Sequence, residues 1–230
     1  MLQSINKYKI YFYIISFLFI STIINQNFLN TFDKFFLINN IKINTNFLEI
    51  KQKISNQISY LDDQNIFFIN KKKALKNLKN LNFLEKIEIK KYYPSTILIK
   101  ASKTEVIGIT YLKQKKYYVG LNERFILSKN LSMNKKLPLI FGSFEISEYI
   151  ELLSLLKNQN INTESILKFY FHKNRRWDLY FENNIIIKLP NKNIEEAIIK
   201  YKNLKTFKKE IKPNTTIDLR IANRIIIKND

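Results

Sequence analysis

Hydrophobic positions along this chain change character twice. From Ile10 to Phe32 they run almost unbroken, beginning IYFYIISFLFISTII, and these 23 residues hold no acid, Lys or Arg between Lys9 and Asp33. A helix crossing a hydrocarbon core needs about 20 mostly apolar residues, and no polar face interrupts this run as it would in a helix of a soluble domain. The pattern predicts one transmembrane helix in 10–32, behind a short tail, 1–9. Its spanning part is Ile10 to about Ile24: Ile10, Phe12, Ile14, Ile15, Phe17, Leu18, Phe19, Ile20, Ile23 and Ile24. A cleaved signal peptide competes for the same residues, since Lys7 and Lys9 precede both. Cleavage needs small residues after the apolar core, yet the first Ala is Ala74 and the first Gly is Gly108. Flanking charge does not orient the span, because Lys34 and Lys42 balance Lys7 and Lys9.

Beyond the span the pattern shortens and alternates between periods. Leu37 to Ile43 fits a strand. Phe47, Ile50, Ile54, Ile58 and Leu61 fall three and four apart, which predicts an amphipathic helix, with Asn44, Thr45 and Asn46 as candidate N-caps. Asn70–Asn80 predicts a second helix carrying Leu75, Leu78 and Leu81. Leu84–Lys91 and Ser95–Ala101 read as strands joined by a turn at Tyr93-Pro94-Ser95. Strand, helix, helix, strand, strand within 35–104 is a small α+β module.

From residue 105 to 230 strands dominate. Glu105–Leu112, Tyr117–Leu121 and Arg124–Leu127 alternate, and a Pro-bearing segment, 137–142, leads into a helix from about Glu145 to Lys157 with an acidic first turn. Two later segments resemble each other. DLYFENNIIIK starts at Asp178 and DLRIANRIIIK at Asp218, with seven of eleven positions identical at an offset of 40. Both read as strand, Asn-centred turn and β-branched return strand. A helix lies between them, through Ile194, Ala197, Ile198, Tyr201 and Leu204. The last strand, around Ile225–Ile227, has little chain after it to cover its edge. Such an edge must be charged, covered or used for pairing. The fold class is therefore α+β: a transmembrane helix, a β-α-α-β-β module, then a mixed α+β domain on a mostly antiparallel sheet.

Composition narrows the chemistry. The net charge of +20 invites nucleic acid or acidic lipid, but it comes from 34 Lys and only 5 Arg. Abundant Lys, Asn and Ile all have A/T-rich codons, and Arg is the residue for bidentate phosphate and guanine contacts. Lys71-Lys72-Lys73 reads as a solvated helix start. No Cys, one His and three Gly leave no thiolate nucleophile, multi-His zinc site or glycine-rich phosphate loop. His172 lies in an apolar strand pattern and reads as structural. Asp62-Asp63 and Glu195-Glu196 read as a loop and a helix surface. Neither a catalytic centre nor a cofactor or metal is expected.

The ordered set of motifs resembles the FtsQ/DivIB family of bacterial cell-division proteins. Phe83-Leu84, Ile87, Ile89, Tyr93-Pro94 and Leu98 resemble the end of that family's first extracytoplasmic module, a POTRA domain. Leu137-Pro138 through Gly142 resembles its LP…G segment. Arg175-Arg176-Trp177-Asp178-Leu179 with Ile187-Lys188-Leu189 resembles its R-R-W-x-L…K-L hairpin, and Ile217-Asp218-Leu219-Arg220 its closing strand.

The resemblance implies a single-pass inner-membrane protein, N-terminus in the cytoplasm and bulk in the periplasm, at the division septum. It implies a non-enzymatic divisome scaffold that binds the FtsB–FtsL pair by strand addition to the last strand. The implied contacts map to Arg220, Ile221 and Ile225 with the strand residues Ile226 and Ile227, and to Arg175 or Arg176. Ile221 stands where relatives carry an aromatic and Ile225 where they carry a small residue. POTRA modules also serve in chaperone and translocation proteins, which is the alternative function. Those usually precede a β-barrel, for which 105–230 is short.

Overall fold

The computed structural model describes residues 6–22, 31, 33–207, 211–222 and 224–229. An apolar helix, α1 (Lys7–Thr22), opens them. At 16 residues it is about 24 Å long by the helical rise, and among the described residues no helix is long and apolar enough to cross a membrane. Ile10, Phe12, Ile14, Ile15, Phe17, Leu18, Phe19 and Ile20 lie on α1, all exposed. Ile23 and Ile24, with residues 25–30 and Phe32 of the expected span, lie outside the described residues.

The chain divides into two compact units. One comprises Met1–Leu81 and Lys86–Ser102. Its three-stranded sheet has the order β1 (Asn40–Asn44), β3 (Thr96–Lys103), β2 (Leu84–Tyr92). β1 runs parallel to β3, with Ile41 opposite Ile97 and Ile43 opposite Ile99. A parallel pair requires a long crossover, which holds α2 (Leu48–Ile58) and α3 (Lys71–Lys79). The expected element order is the observed one. α2 buries Ile50, Ile54 and Ile58, and α3 buries Ala74 and Leu78, while Ile97 and Ile99 are fully buried on the central strand. Asn70 caps α3 by accepting from the backbone N–H of Lys73 at 3.1 Å. The cap of α2 differs from expectation: it is Phe47, whose side chain makes no capping hydrogen bond, rather than Asn44, Thr45 or Asn46. Phe47 already has the extended backbone of a cap, and no polar side chain stands there to accept.

The other unit comprises Asn82–Glu85 and Lys103–Asp230. Its strands are β4 (Val106–Leu112), β5 (Lys115–Gly120), β6 (Phe125–Leu127), β7 (Leu139–Phe141), β8 (Ile166–Phe171), β9 (Trp177–Phe181), β10 (Ile186–Lys188), β11 (Thr215–Asp218) and β12 (Ile226–Asn229). They form one sheet in the order β12-β11-β10-β9-β8-β7-β4-β5-β6. β4–β7, β7–β8 and β10–β11 are parallel and the other five pairs antiparallel. The sheet is mixed and mostly antiparallel, as the alternation predicted.

The Pro-bearing segment is the main surprise of this sheet. Instead of only connecting, Leu139–Phe141 is an interior strand, with Ile140 fully buried and its carbonyl accepting from the Thr110 hydroxyl at 2.8 Å. Gly142 ends it at φ +99°, and a Cβ there would come within 2.0 Å of the Phe171 carbonyl oxygen. Only glycine fits both demands. α4 (Ile146–Asn158) follows, opened by a capping box between Glu145 and Glu148. It buries Ile146, Tyr149, Leu152 and Leu156, and α5 (Ile194–Phe207) adds Ala197, Ile198 and Tyr201. The core gathers around Trp177, whose ring lies 4.7–6.4 Å from those of Phe171, Tyr149, Phe144 and Phe169. Trp177, Leu179 and Phe181 all point into it. Burial pushes the Tyr149 hydroxyl well above its usual range; it donates to the Ile107 carbonyl at 3.0 Å.

Candidate partner-binding edge

The two similar hairpins share one sheet but not one register. In the first, Asp178 lies opposite Lys188. In the second, Asp218 lies opposite Ile226, and Lys228 opposite Thr216. The pairing has slipped by two residues, which keeps each side chain on its face because strand side chains repeat every second residue. The slip lengthens the connection, so residues 219–225 lie between β11 and β12. That stretch carries exposed Ile221 and Ile225, and Arg224 N–H donates back to the Ile221 carbonyl at 3.2 Å.

β12 ends the sheet. Among the described residues no strand pairs with its outer side, and all four of its residues are exposed. An antiparallel edge strand leaves part of its N–H and C=O groups directed outward, ready for another strand. Ile225, Ile226 and Ile227 stand exposed together there. Ile227 also borders a cavity of about 290 Å³ whose other walls include Leu204, Ile211, Lys212 and Ile217. The edge thus combines backbone to pair with and a hollow beside it, whose walls mix isoleucine and leucine with Lys212, Thr215 and Asn229.

Behind the edge the solvent face carries a row of charges at one register. Tyr170, Asp178, Lys188 and Asp218 occupy matching positions on β8 to β11, and Ile226 closes the row on β12. His172 Nε2 approaches the buried Asp178 carboxylate to 2.9 Å. Arg220 is not left free. It clasps the Asp218 carboxylate with Nε at 2.7 Å and with its second guanidinium nitrogen, and its backbone N–H donates at 3.0 Å. The Arg220 hydrogen bond is the main cause holding the Asp218 carboxyl below its ordinary 3.8, partly opposed by burial, with Lys188 a smaller contributor. The guanidinium expected to face outward for a partner is therefore committed first to its own strand. Asp218 ends β11 and Arg220 lies two residues beyond it in the connection, so the clasp follows from the path of the chain as it leaves the strand. The cross-strand row with Asp178 and Lys188 needed the register.

Arg175 and Arg176 lie in the β8–β9 connection. Arg175 bonds the Glu148 carboxylate at the start of α4, and Arg176 Nε donates to Asn174 at 2.9 Å. The strand directions put this connection at the same end of the sheet as residues 219–225, since Leu189 N–H reaches the Trp177 carbonyl and Leu219 N–H the Lys188 carbonyl. β9 and β12 stand three positions apart in the strand order, about 14 Å at the usual spacing. Arg220, Ile221 and Ile225 thus form one cluster, and the Arg175–Arg176 pair shares their end of the sheet.

A mixed α+β unit on a wide sheet, ending in an exposed apolar edge strand, is the class these features define. Residues 115–220 match the family model of the cell division protein FtsQ/DivIB C-terminal domain. The chain is 30% identical over 166 residues to a cell division protein FtsQ from Rickettsia bellii, covering 70% of this chain and 61% of that protein. A cell division protein FtsQ from Rhizobium radiobacter is 23% identical over 155 residues, covering 67% of this chain and 74% of that one. The solved extracytoplasmic domain of the cell division protein DivIB from Geobacillus stearothermophilus aligns at 11% identity over 48% of this chain and 99% of that one, with a TM-score of 0.29. The chain is thus similar to the FtsQ/DivIB family, matching its C-terminal domain over residues 115–220 and spanning about three fifths of the Rickettsia bellii protein.

Proposed function

We propose that this chain is a membrane-anchored, non-enzymatic scaffold of the division machinery that receives a partner's β-strand on the outer edge of β12. The carrying observation is the exposure of all four β12 residues at the end of a nine-stranded sheet. Strand addition draws affinity from backbone hydrogen bonds and specificity from pockets for alternate side chains, and the hollow beside Ile227 is such a pocket. Ile221, Ile225, Ile226 and Ile227 form the apolar contact. Arg220, through Asp218, fixes how the chain enters the edge, and Arg175 and Arg176 supply positive charge at the same end.

The FtsB–FtsL pair is the proposed partner, by family. The proposed topology places the apolar run 10–32 in the inner membrane with the N-terminus in the cytoplasm, the bulk in the periplasm, and the protein at the septum. In it, 35–104 is the POTRA module and 105–230 the partner-binding domain.

Co-purification of the detergent-solubilised full chain with FtsB–FtsL is the test. Wild type retains the pair, and Ile226→Pro and Ile221→Asp lose it while the melting transition of the sheet persists. Retention by both variants would remove the edge from consideration. Midcell localisation of a fluorescent fusion checks the cellular role independently, and a uniform membrane signal would contradict it.

A further inference from the structure

The first unit exposes a second apolar surface, unlike the edge in kind because it is aromatic. Four rings touch in series: Phe35 edge-on to Phe36 at 5.2 Å, Phe36 tilted against Phe67 at 4.8 Å, and Phe67 stacked on Tyr93 at 4.9 Å. Phe68 stands next to them, 85% exposed. The loop bearing Phe67 and Phe68 is held in place. Ile66 N–H donates to the Phe36 carbonyl at 3.0 Å, Phe68 N–H to the Asn65 carbonyl at 3.1 Å, and Lys91 Nζ to the carbonyls of Phe67 and Ile69 at 3.4 and 3.3 Å. The fold therefore fastens this loop while leaving its largest apolar side chain in water. A contiguous exposed apolar patch of this sort marks a binding surface.

Two features identify its occupant. Across residues 33–36, 62–73 and 90–93 there are six lysines (Lys34, Lys71, Lys72, Lys73, Lys90, Lys91) against three aspartates (Asp33, Asp62, Asp63), with Lys90 paired to Glu88 at 3.1 Å. Lys71, Lys72 and Lys73 are exposed and begin three residues after Phe68. Aromatic rings with an ammonium rim are the chemistry of a bilayer interface, rings at headgroup depth and cations on anionic phosphates. Phe35 also follows the last residue of α1, Thr22, by only 13 positions, at most about 45 Å of extended chain. We infer that Phe35, Phe67, Phe68 and Tyr93 dock the first unit onto the surface of an anionic bilayer. The nearness of that bilayer rests on the proposed anchor; the patch and its charge do not.

The chain has no Cys, so single labels report cleanly. The full chain is reconstituted in phosphatidylethanolamine–phosphatidylglycerol vesicles with or without brominated acyl chains. Separate variants carry an environment-sensitive fluorophore at Phe68→Cys, at Phe12→Cys on α1, and at Lys113→Cys in the β4–β5 turn. Brominated lipid is expected to quench the Phe68 label and to spare the Lys113 label. Lys71→Gln with Lys72→Gln should reduce the Phe68 quenching. A Phe68 label quenched no more than the Lys113 label overturns the inference, and that is also the result for a patch reserved for a protein partner. Undiminished quenching in the lysine variant overturns its anionic-lipid part. The Phe12 label reads the anchor separately: quenched there and unquenched at Phe68 defeats the docking alone, whereas unquenched at Phe12 defeats the anchor.

Discussion

The hairpins beginning at Asp178 and Asp218 are nearly the same peptide placed in two different environments. Both carry a triplet of isoleucines on the return strand. In the first, Ile187 is 2% exposed, because β10 lies between β9 and β11 above α5. In the second, the equivalent Ile227 is 37% exposed, because β12 has a neighbour on one side only. Local sequence made both strands; sheet order alone decided which became core and which became surface. β-propensity measures fit to a pleated surface and does not say whether that surface is interior.

The sharpest way to press this contrast is truncation at the equivalent position. Ile187→Ala should lower the unfolding free energy by about 2–5 kcal/mol, the range for a buried isoleucine, whereas Ile227→Ala should cost under about 1 kcal/mol, as an exposed position does. Denaturant titrations of the two variants measure the difference, and equal losses would mean that β12 is as much core as β10. Next in size is the clasp. Arg220→Ala removes a two-pronged ion pair at a partly exposed site, a loss of about 1 kcal/mol, and the Lys188→Ala control should cost less, since it is only a minor influence on Asp218. The smallest effect is with pH. The Asp218 carboxyl is held below its ordinary 3.8 when folded, so its stabilisation is fully present above that value and is lost as pH falls through the lower folded value. Between pH 5 and pH 2, wild type should lose more stability than Asp218→Asn; parallel profiles would show that the clasp does not favour the charged carboxylate.

Much of the fold could be read from periodicity, and where it could not the reasons are physical. α2, α3, α4 and α5 announced themselves because each buries one face at helical spacing, as Ile50, Ile54 and Ile58 do. β7 did not, since three residues between Pro138 and Gly142 are too few to display a period, and only their neighbours β4 and β8 make them a strand. The N-cap of α2 was misplaced among Asn44, Thr45 and Asn46 because a cap is set by backbone angles, which Phe47 has without a polar side chain. At the edge, Ile221 and Ile225 had no legible direction by alternation, because the seven-residue connection breaks it, and the structure exposes both. The two-residue slip of the second hairpin was invisible for a related reason. A shift of two preserves every inside–outside assignment, so the sequence pattern is the same in either register.

The one-sided pairing of β12 also has a temporal meaning. Free energies of local opening within a protein range from nearly zero at fraying segments to the full global value in core strands. β12, held by β11 alone and burying none of its four residues, belongs near the low end, while β9, flanked by β8 and β10 and bearing Trp177, belongs near the high end. Its amides should exchange with solvent deuterium long before those of β9, by openings that leave the rest of the sheet intact. A strand added outside would convert this edge strand into an interior one, so occupancy of the edge is written directly in the lifetime of its own protons.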